Sequence, residues 1–174
     1  YVFQTELLNT LDFEHHRVLA VTCHRRENYG KPMQDIMHAI LRVVEENPDV
    51  EVVYPVHLSP VVRECAFPIL GGHDRIHLID PINVEEMHNL IARCYFVMTD
   101  SGGLQCEAFY AGVQCLLVMD HVVWPETMVD NRNQLARPDK NDIQKKLSAE
   151  QHIDPAYQPF GDGHAAEKIC DILR

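Results

Sequence analysis

The stretch YFVMTDSGGLQCEAFYAGVQCLLVM, residues 95–119, holds one complete folding unit. Tyr95 to Thr99 is a short apolar run, suited to a buried strand. The Ser101-Gly102-Gly103 turn ends it. Gly102 to Tyr110 then reads as a helix, stopped by Gly112 at the position where helices turn left-handed. Gln114 to Met119 is a second apolar run. Two continuous apolar strands joined through a helix form a parallel pair, buried on both faces.

The same alternation recurs on both sides of this unit. Upstream, Val18 to Thr22 is a buried strand. Pro32 opens a helix whose apolar residues (Met33, Ile36, Met37, Ile40, Val43, Val44) recur at helical spacing until Asn47-Pro48 stops it. Glu51 to Val56 is a strand. Pro60 to Leu70 is helical, with Pro68 expected to bend or end it. Ile76 to Ile79 is a strand and Val84 to Arg93 a helix. Downstream, the pattern predicts a short strand over Asn133 to Ala136, a helix over Asn141 to Leu147, and a last helix beyond the Pro- and Gly-bearing stretch Pro155 to Gly163.

Strands alternating with helices predict an α/β fold: a doubly wound, mostly parallel, Rossmann-like sheet with helices on both faces. One domain fills residues 1–174, with 1–16 as an amino-terminal linker and 159–174 carrying the terminal helix. In such sheets ligands bind at the carboxyl ends of the strands.

The bulk numbers exclude several classes. The 174 residues carry a formal net charge of −11, which argues against nucleic acid or an anionic membrane as partner. No apolar run reaches the about 18 residues of a membrane span. The first 17 residues do not read as a leader peptide, and cytoplasmic is the simplest expectation. The six cysteines form no CxxC pair, so reduced thiols and no zinc site are expected. With no GxGxxG and no GxxxxGK[ST], neither a nicotinamide fingerprint nor a P-loop is present.

Two segments at predicted strand ends carry groups suited to an anion. His24-Arg25-Arg26-Glu27-Asn28 offers an imidazole, which can donate to phosphate or move a proton, and two guanidiniums, which can grip phosphate with paired donors. It can equally be a solvated loop whose arginines pair with Glu27. At Ser101-Gly102-Gly103, the glycines admit a close backbone approach and the helix start offers free N–H groups. A plain turn with a Ser cap is the alternative. Glu107, one helical turn on from Gly103, can face ribose hydroxyls or be a surface charge. His57 shares the ligand-side edge with His24, while Asp120, His121 and Trp124 follow the strand ending at Met119. His15-His16 reads as a solvated pair, and His73 and His77 read as structural.

As a set, Thr22-Cys-His-Arg-Arg-Glu-Asn28, Tyr54-Pro-Val-His-Leu58, Gly72-His-Asp-Arg-Ile-His-Leu78, Thr99-Asp-Ser-Gly-Gly103 and Phe160-Gly-Asp-Gly163 resemble non-hydrolysing UDP-N-acetylglucosamine 2-epimerases. The likeness runs from about Arg17 to the end of the chain. It implies two facing Rossmann-like domains, as in B-type glycosyltransferases, of which this chain resembles the second. The implied reaction interconverts UDP-N-acetylglucosamine and UDP-N-acetylmannosamine by eliminating UDP and adding it back. The family uses no nicotinamide, metal or other cofactor, and its members are commonly homodimers. By resemblance, His24 contacts the diphosphate and takes part in catalysis. Ser101, Gly102 and Gly103 hold phosphate, Glu107 binds ribose, and Met87 stands where an aromatic residue packs on uracil. Arg25 and His57 match residues of an allosteric UDP-sugar site.

This sequence departs from the family at Cys23, where Ala is usual, and at Cys106, where an acid is usual. The family's phosphate-gripping Arg is here Trp124. Loss of that contact is expected to cost about 1.5–3 kcal/mol, roughly ten- to a hundredfold in affinity. The family's proton-transferring carboxylates belong to the first domain. The alternatives left open are a non-catalytic UDP-sugar-binding module and the donor domain of a glycosyltransferase.

Overall fold

A computed structural model describes residues 1–137, 139–147, 156–157 and 159–173. Six strands form one sheet: β1 (Arg17–Thr22), β2 (Val50–Pro55), β3 (Ile76–Ile79), β4 (Phe96–Thr99), β5 (Gln114–Val118) and β6 (Asn133–Ala136). Their order is β3-β2-β1-β4-β5-β6 and every pairing is parallel, which is the doubly wound arrangement expected from the sequence. The order reverses between β1 and β4, where Leu19 pairs with Phe96 and Thr22 with Thr99. A ligand crevice belongs at that switch point, beyond the carboxyl ends of the two strands.

The period-2 geometry of β1 explains the two-sided core. Leu19 and Val21 point into one apolar cluster, Val18 and Ala20 into the other. On the first side, α1 (Lys31–Glu46) packs against α2 (Pro60–Leu70) and α5 (Lys140–Leu147). α1 buries Met33, Ile36, Met37, Ile40, Val43 and Val44, the stripe read from the sequence. On the second side, α3 (Val84–Arg93) packs against α4 (Gly102–Ala111). Asn83 caps α3 by accepting the Glu86 N–H at 2.9 Å. Gly112 closes α4 at φ +70°, a conformation that strains residues with a Cβ.

Three expectations change. Pro68 does not end α2, which runs two residues further to Leu70. The proline sits in the last turn, so it removes one late helical bond rather than dividing the helix. Residues 1–16 do not behave as a free linker. Phe3 and Leu8 are buried in the second cluster, and the Thr5 N–H donates to buried Glu86 Oε1 at 2.8 Å. His16 is not merely solvated: its Nδ1 hydrogen-bonds Glu51, which also accepts from His77 Nε2 at 2.9 Å.

A 3-10 segment, Pro125–Asn131, leads into β6, and the last helix is α6 (Ala165–Ile172), none of whose residues is buried. Pro155 lies outside the described residues. No helix among the described residues is long and apolar enough to cross a membrane. All six cysteines are free. Burial pushes the Cys94 thiol up to about 12, and Cys115 is raised by burial as well.

Candidate functional site

The crevice is organised by a residue given no role in the sequence. Asp100 follows β4 and is fully buried. Its Oδ2 accepts the backbone N–H of His24 at 2.8 Å, that of Arg25 at 2.7 Å, and Asn28 Nδ2 at 3.1 Å. Asn28 Nδ2 also donates to the Val118 carbonyl at 3.0 Å. One carboxylate and one amide thus tie the ends of β1, β4 and β5 together and fix the His24–Asn28 loop over the switch point. Just below, the hydroxyls of Thr22 and Thr99 lie 2.6 Å apart.

His24, the first residue of that loop to face outward, stacks on His57 with ring centroids 5.2 Å apart and planes 10° apart. Both rings line a pocket of about 150 Å³ together with Ile82, Met87 and Leu104. Arg26 and Glu27 are exposed and Arg25 is half-buried. Arg25 lines a separate cleft with Asp120 and His121. The resemblance groups Arg25 with His57, but the two line different pockets.

Across the switch point, Ser101 caps α4, with its Oγ accepting the Leu104 N–H at 3.4 Å. The first N–H groups of a helix have no partner within it, so those of Gly102 and Gly103 remain available to an anion. Packing is tight at Gly102: a Cβ there would meet Val123 Cγ1 at 3.1 Å and its Cβ and Cγ2 at 3.3 Å, so Val123 would have to give way. Gly103 is exposed, and a Cβ would meet only Ser101 Oγ, at 3.6 Å. Its requirement for glycine, if ligand binding imposes one, comes from the ligand rather than the fold.

One turn along α4, half-buried Glu107 lines a larger pocket, of about 590 Å³, with Gly103, Cys106, Tyr110 and His88. His88 Nε2 on α3 stands 3.4 Å from Glu107 Oε2. The candidate residues therefore fall into two adjoining pockets: His24, His57 and Met87 line one, and Gly103 and Glu107 the other. The first turn of α4 separates them, with Leu104 on one wall and Gly103 on the other.

Trp124 is 41 % exposed and so is not core. Its ring meets Phe160 edge-on at 5.6 Å, and Phe160 also contacts Phe109 and Tyr110. Buried Gln105 fixes this segment, its Nε2 donating to the Trp124 carbonyl at 3.0 Å and to Thr127 Oγ1 at 2.6 Å. Sequence reasoning assigned no role to Asp100 or Asn28, though both lie in the quoted segments, and did not single out Gln105 or His88. The available signal was a carboxylate directly after a four-residue apolar strand, a position where an acid needs donors from elsewhere in the fold.

The arrangement offers an imidazole on one side of the crevice, a helix start opposite, and a carboxylate one turn further out. That set can hold a diphosphate and a polyhydroxylated group and can move a proton at the imidazole.

A family model described as UDP-N-acetylglucosamine 2-epimerase matches residues 2–174. The Bacillus subtilis UDP-N-acetylglucosamine 2-epimerase is 42% identical over 165 residues, covering 90% of this chain and 43% of that protein. Among solved structures, the S. aureus MnaA–UDP co-structure superposes with a TM-score of 0.86 at 35% identity, covering 98% of this chain and 47% of that one. The Neisseria meningitidis UDP-GlcNAc 2-epimerase bound to UDP-GlcNAc gives a TM-score of 0.85 at 26% identity, covering 97% and 47%. The chain spans about half the length of the curated relatives it matches.

Proposed function

Because the chain belongs to the UDP-N-acetylglucosamine 2-epimerase family, we propose that it is the carboxyl-terminal, UDP-holding half of such an enzyme. The whole enzyme would interconvert UDP-N-acetylglucosamine and UDP-N-acetylmannosamine by eliminating UDP together with the C2 proton, then returning UDP to C1 while a proton is delivered to the opposite face of C2. The observation that carries this reading is the α4 start at the switch point of the sheet, whose first turn lines the His24 pocket through Leu104 and the Glu107 pocket through Gly103. The diphosphate sits at that helix start, where backbone donors and the helix dipole favour negative charge. His24 meets its other side and carries a proton during elimination or return. Glu107 accepts hydrogen bonds from the ribose hydroxyls in the larger pocket, and Met87 packs toward the base. Arg25 and His57 would serve a second UDP-sugar. A cytoplasmic location and a homodimer of the full-length protein belong to the same proposal.

Glu107→Gln tests the ribose assignment. It should weaken UDP several-fold while leaving pyrophosphate, which has no ribose, nearly unchanged. Equal losses for the two ligands would reject the role.

A second reading is a UDP-sugar-binding module without turnover, favoured by Trp124, an exposed indole where the family carries an Arg. The two readings separate when a first domain is supplied: epimerisation of UDP-N-acetylglucosamine supports the enzyme, and binding without turnover supports the module. Transfer of the sugar to an acceptor would instead support a glycosyltransferase.

A further inference from the structure

The two oxygens of Asp100 are used unequally. Oδ2 holds three donors, from His24, Arg25 and Asn28. Oδ1, equally buried, accepts no hydrogen bond among the described residues. The group that reaches toward it is the His24 ring, whose Nδ1 is 3.4 Å away. That is just beyond an ordinary N–H···O bond, and the broad χ2 well of histidine allows the ring to close the gap. Cys23 is a second donor near the carboxylate: burial first, then the charge of Asp100 and a side-chain hydrogen bond to it, push its thiol well above the usual range. It therefore stays an S–H, a weaker donor than an imidazole N–H. The Tyr54 hydroxyl, on β2, is committed to the Cys23 carbonyl at 2.7 Å.

We propose that Asp100 is a positioning residue for His24: its free oxygen fixes the imidazole proton on Nδ1 and leaves Nε2, on the opposite edge of the ring, unprotonated as the nitrogen offered to the crevice. A buried carboxylate oriented on one imidazole nitrogen selects the tautomer and fixes the ring angle. The stacked His57 ring limits rotation from the other side. The use of that unprotonated Nε2 to take up a proton in turnover rests on the proposed role of His24. The tautomer itself does not.

The substitution Asp100→Asn gives a signed outcome. The side-chain amide oxygen should keep the two backbone donors of the loop, which turns the amide NH₂ toward His24. An NH₂ is only a donor, so Nδ1 must then accept and the proton moves to Nε2. The measurement is a long-range ¹H–¹⁵N correlation spectrum of the full chain labelled with ¹⁵N-histidine, without ligand. The pH is set about two units above the ordinary imidazole value of ~6.5. His24 is assigned by comparison with His24→Gln. In the unsubstituted chain the Nδ1 resonance should lie at the protonated position and Nε2 at the unprotonated one, and Asp100→Asn should exchange the two. A proton on Nε2 in the unsubstituted chain would overturn the proposal. So would an unchanged His24 pattern in folded Asp100→Asn. If that variant does not fold, the spectrum of the unsubstituted chain decides alone. Because no UDP is present, failure to bind UDP is a separate result.

Discussion

Gly102→Ala should destabilise the chain through one neighbour, Val123. The added methyl would sit 3.1–3.3 Å from three Val123 atoms, closer than side-chain carbons normally approach. Two effects oppose each other. Replacing Gly by Ala at a helical position gains up to about 1 kcal/mol, and less in the first turn. Overpacking a well-filled contact costs about 1–3 kcal/mol. Val123 packs on the second apolar cluster, and its neighbour Trp124 is held by Gln105, so relaxation is limited and the steric effect should win by about 1 kcal/mol. For a domain of this size that lowers Tm by roughly 2–4 °C. The cause is tested by a double-mutant cycle with Val123→Ala, read by urea unfolding. Val123→Ala alone loses stability by truncation, but in its background Gly102→Ala should become neutral or stabilising. The coupling should reach about 1–2 kcal/mol, as for residues in direct contact. An unchanged midpoint in Gly102→Ala, or the same loss with and without Val123, would refute the reasoning.

Gly103→Ala should leave the urea midpoint nearly unchanged, since its Cβ meets only Ser101 Oγ at 3.6 Å. It should weaken UDP by about tenfold, about 1.4 kcal/mol, as titration calorimetry would show. Trp124→Arg should tighten UDP about tenfold or more by returning a charge-assisted contact, and an unchanged Kd would remove Trp124 from the account. Glu51 is pushed upward by burial, but the hydrogen bonds from His77 and His16 outweigh this and hold it below 4.5. Its contribution is therefore present above about pH 4.5 and lost as pH falls through the lower folded value. Glu51→Gln should flatten the fall in urea midpoint below pH 4.5, and parallel curves would contradict the pairing. A thiol reagent at mildly alkaline pH should modify exposed Cys170 first and leave Cys94 and Cys115, buried and raised in pKa, unmodified until unfolding.

The sheet was legible because parallel strands buried on both faces leave continuous apolar runs, as Val97 and Leu116 show by being fully buried. Strand ends moved by a residue. Arg17 joins β1 through backbone pairing with Val50, which its polar side chain does not record. Phe3 and Leu8 were not legible as core, because each has an apolar neighbour, Val2 and Leu7, and the short stretch does not reveal which of them turns inward. The ends of the site, His24 and the Ser101–Gly103 turn, were read from position alone. Asp100 was not, because the donors that give it a role come from a loop 72 to 76 residues earlier, joined only by the topology.

Titration calorimetry of the chain with UDP, with AMP as the control ligand, decides whether the chain holds UDP on its own. Saturable binding of UDP, weakened by Glu107→Gln and absent for AMP, is the predicted result. No heat at millimolar UDP, or equal affinity for AMP, would contradict it.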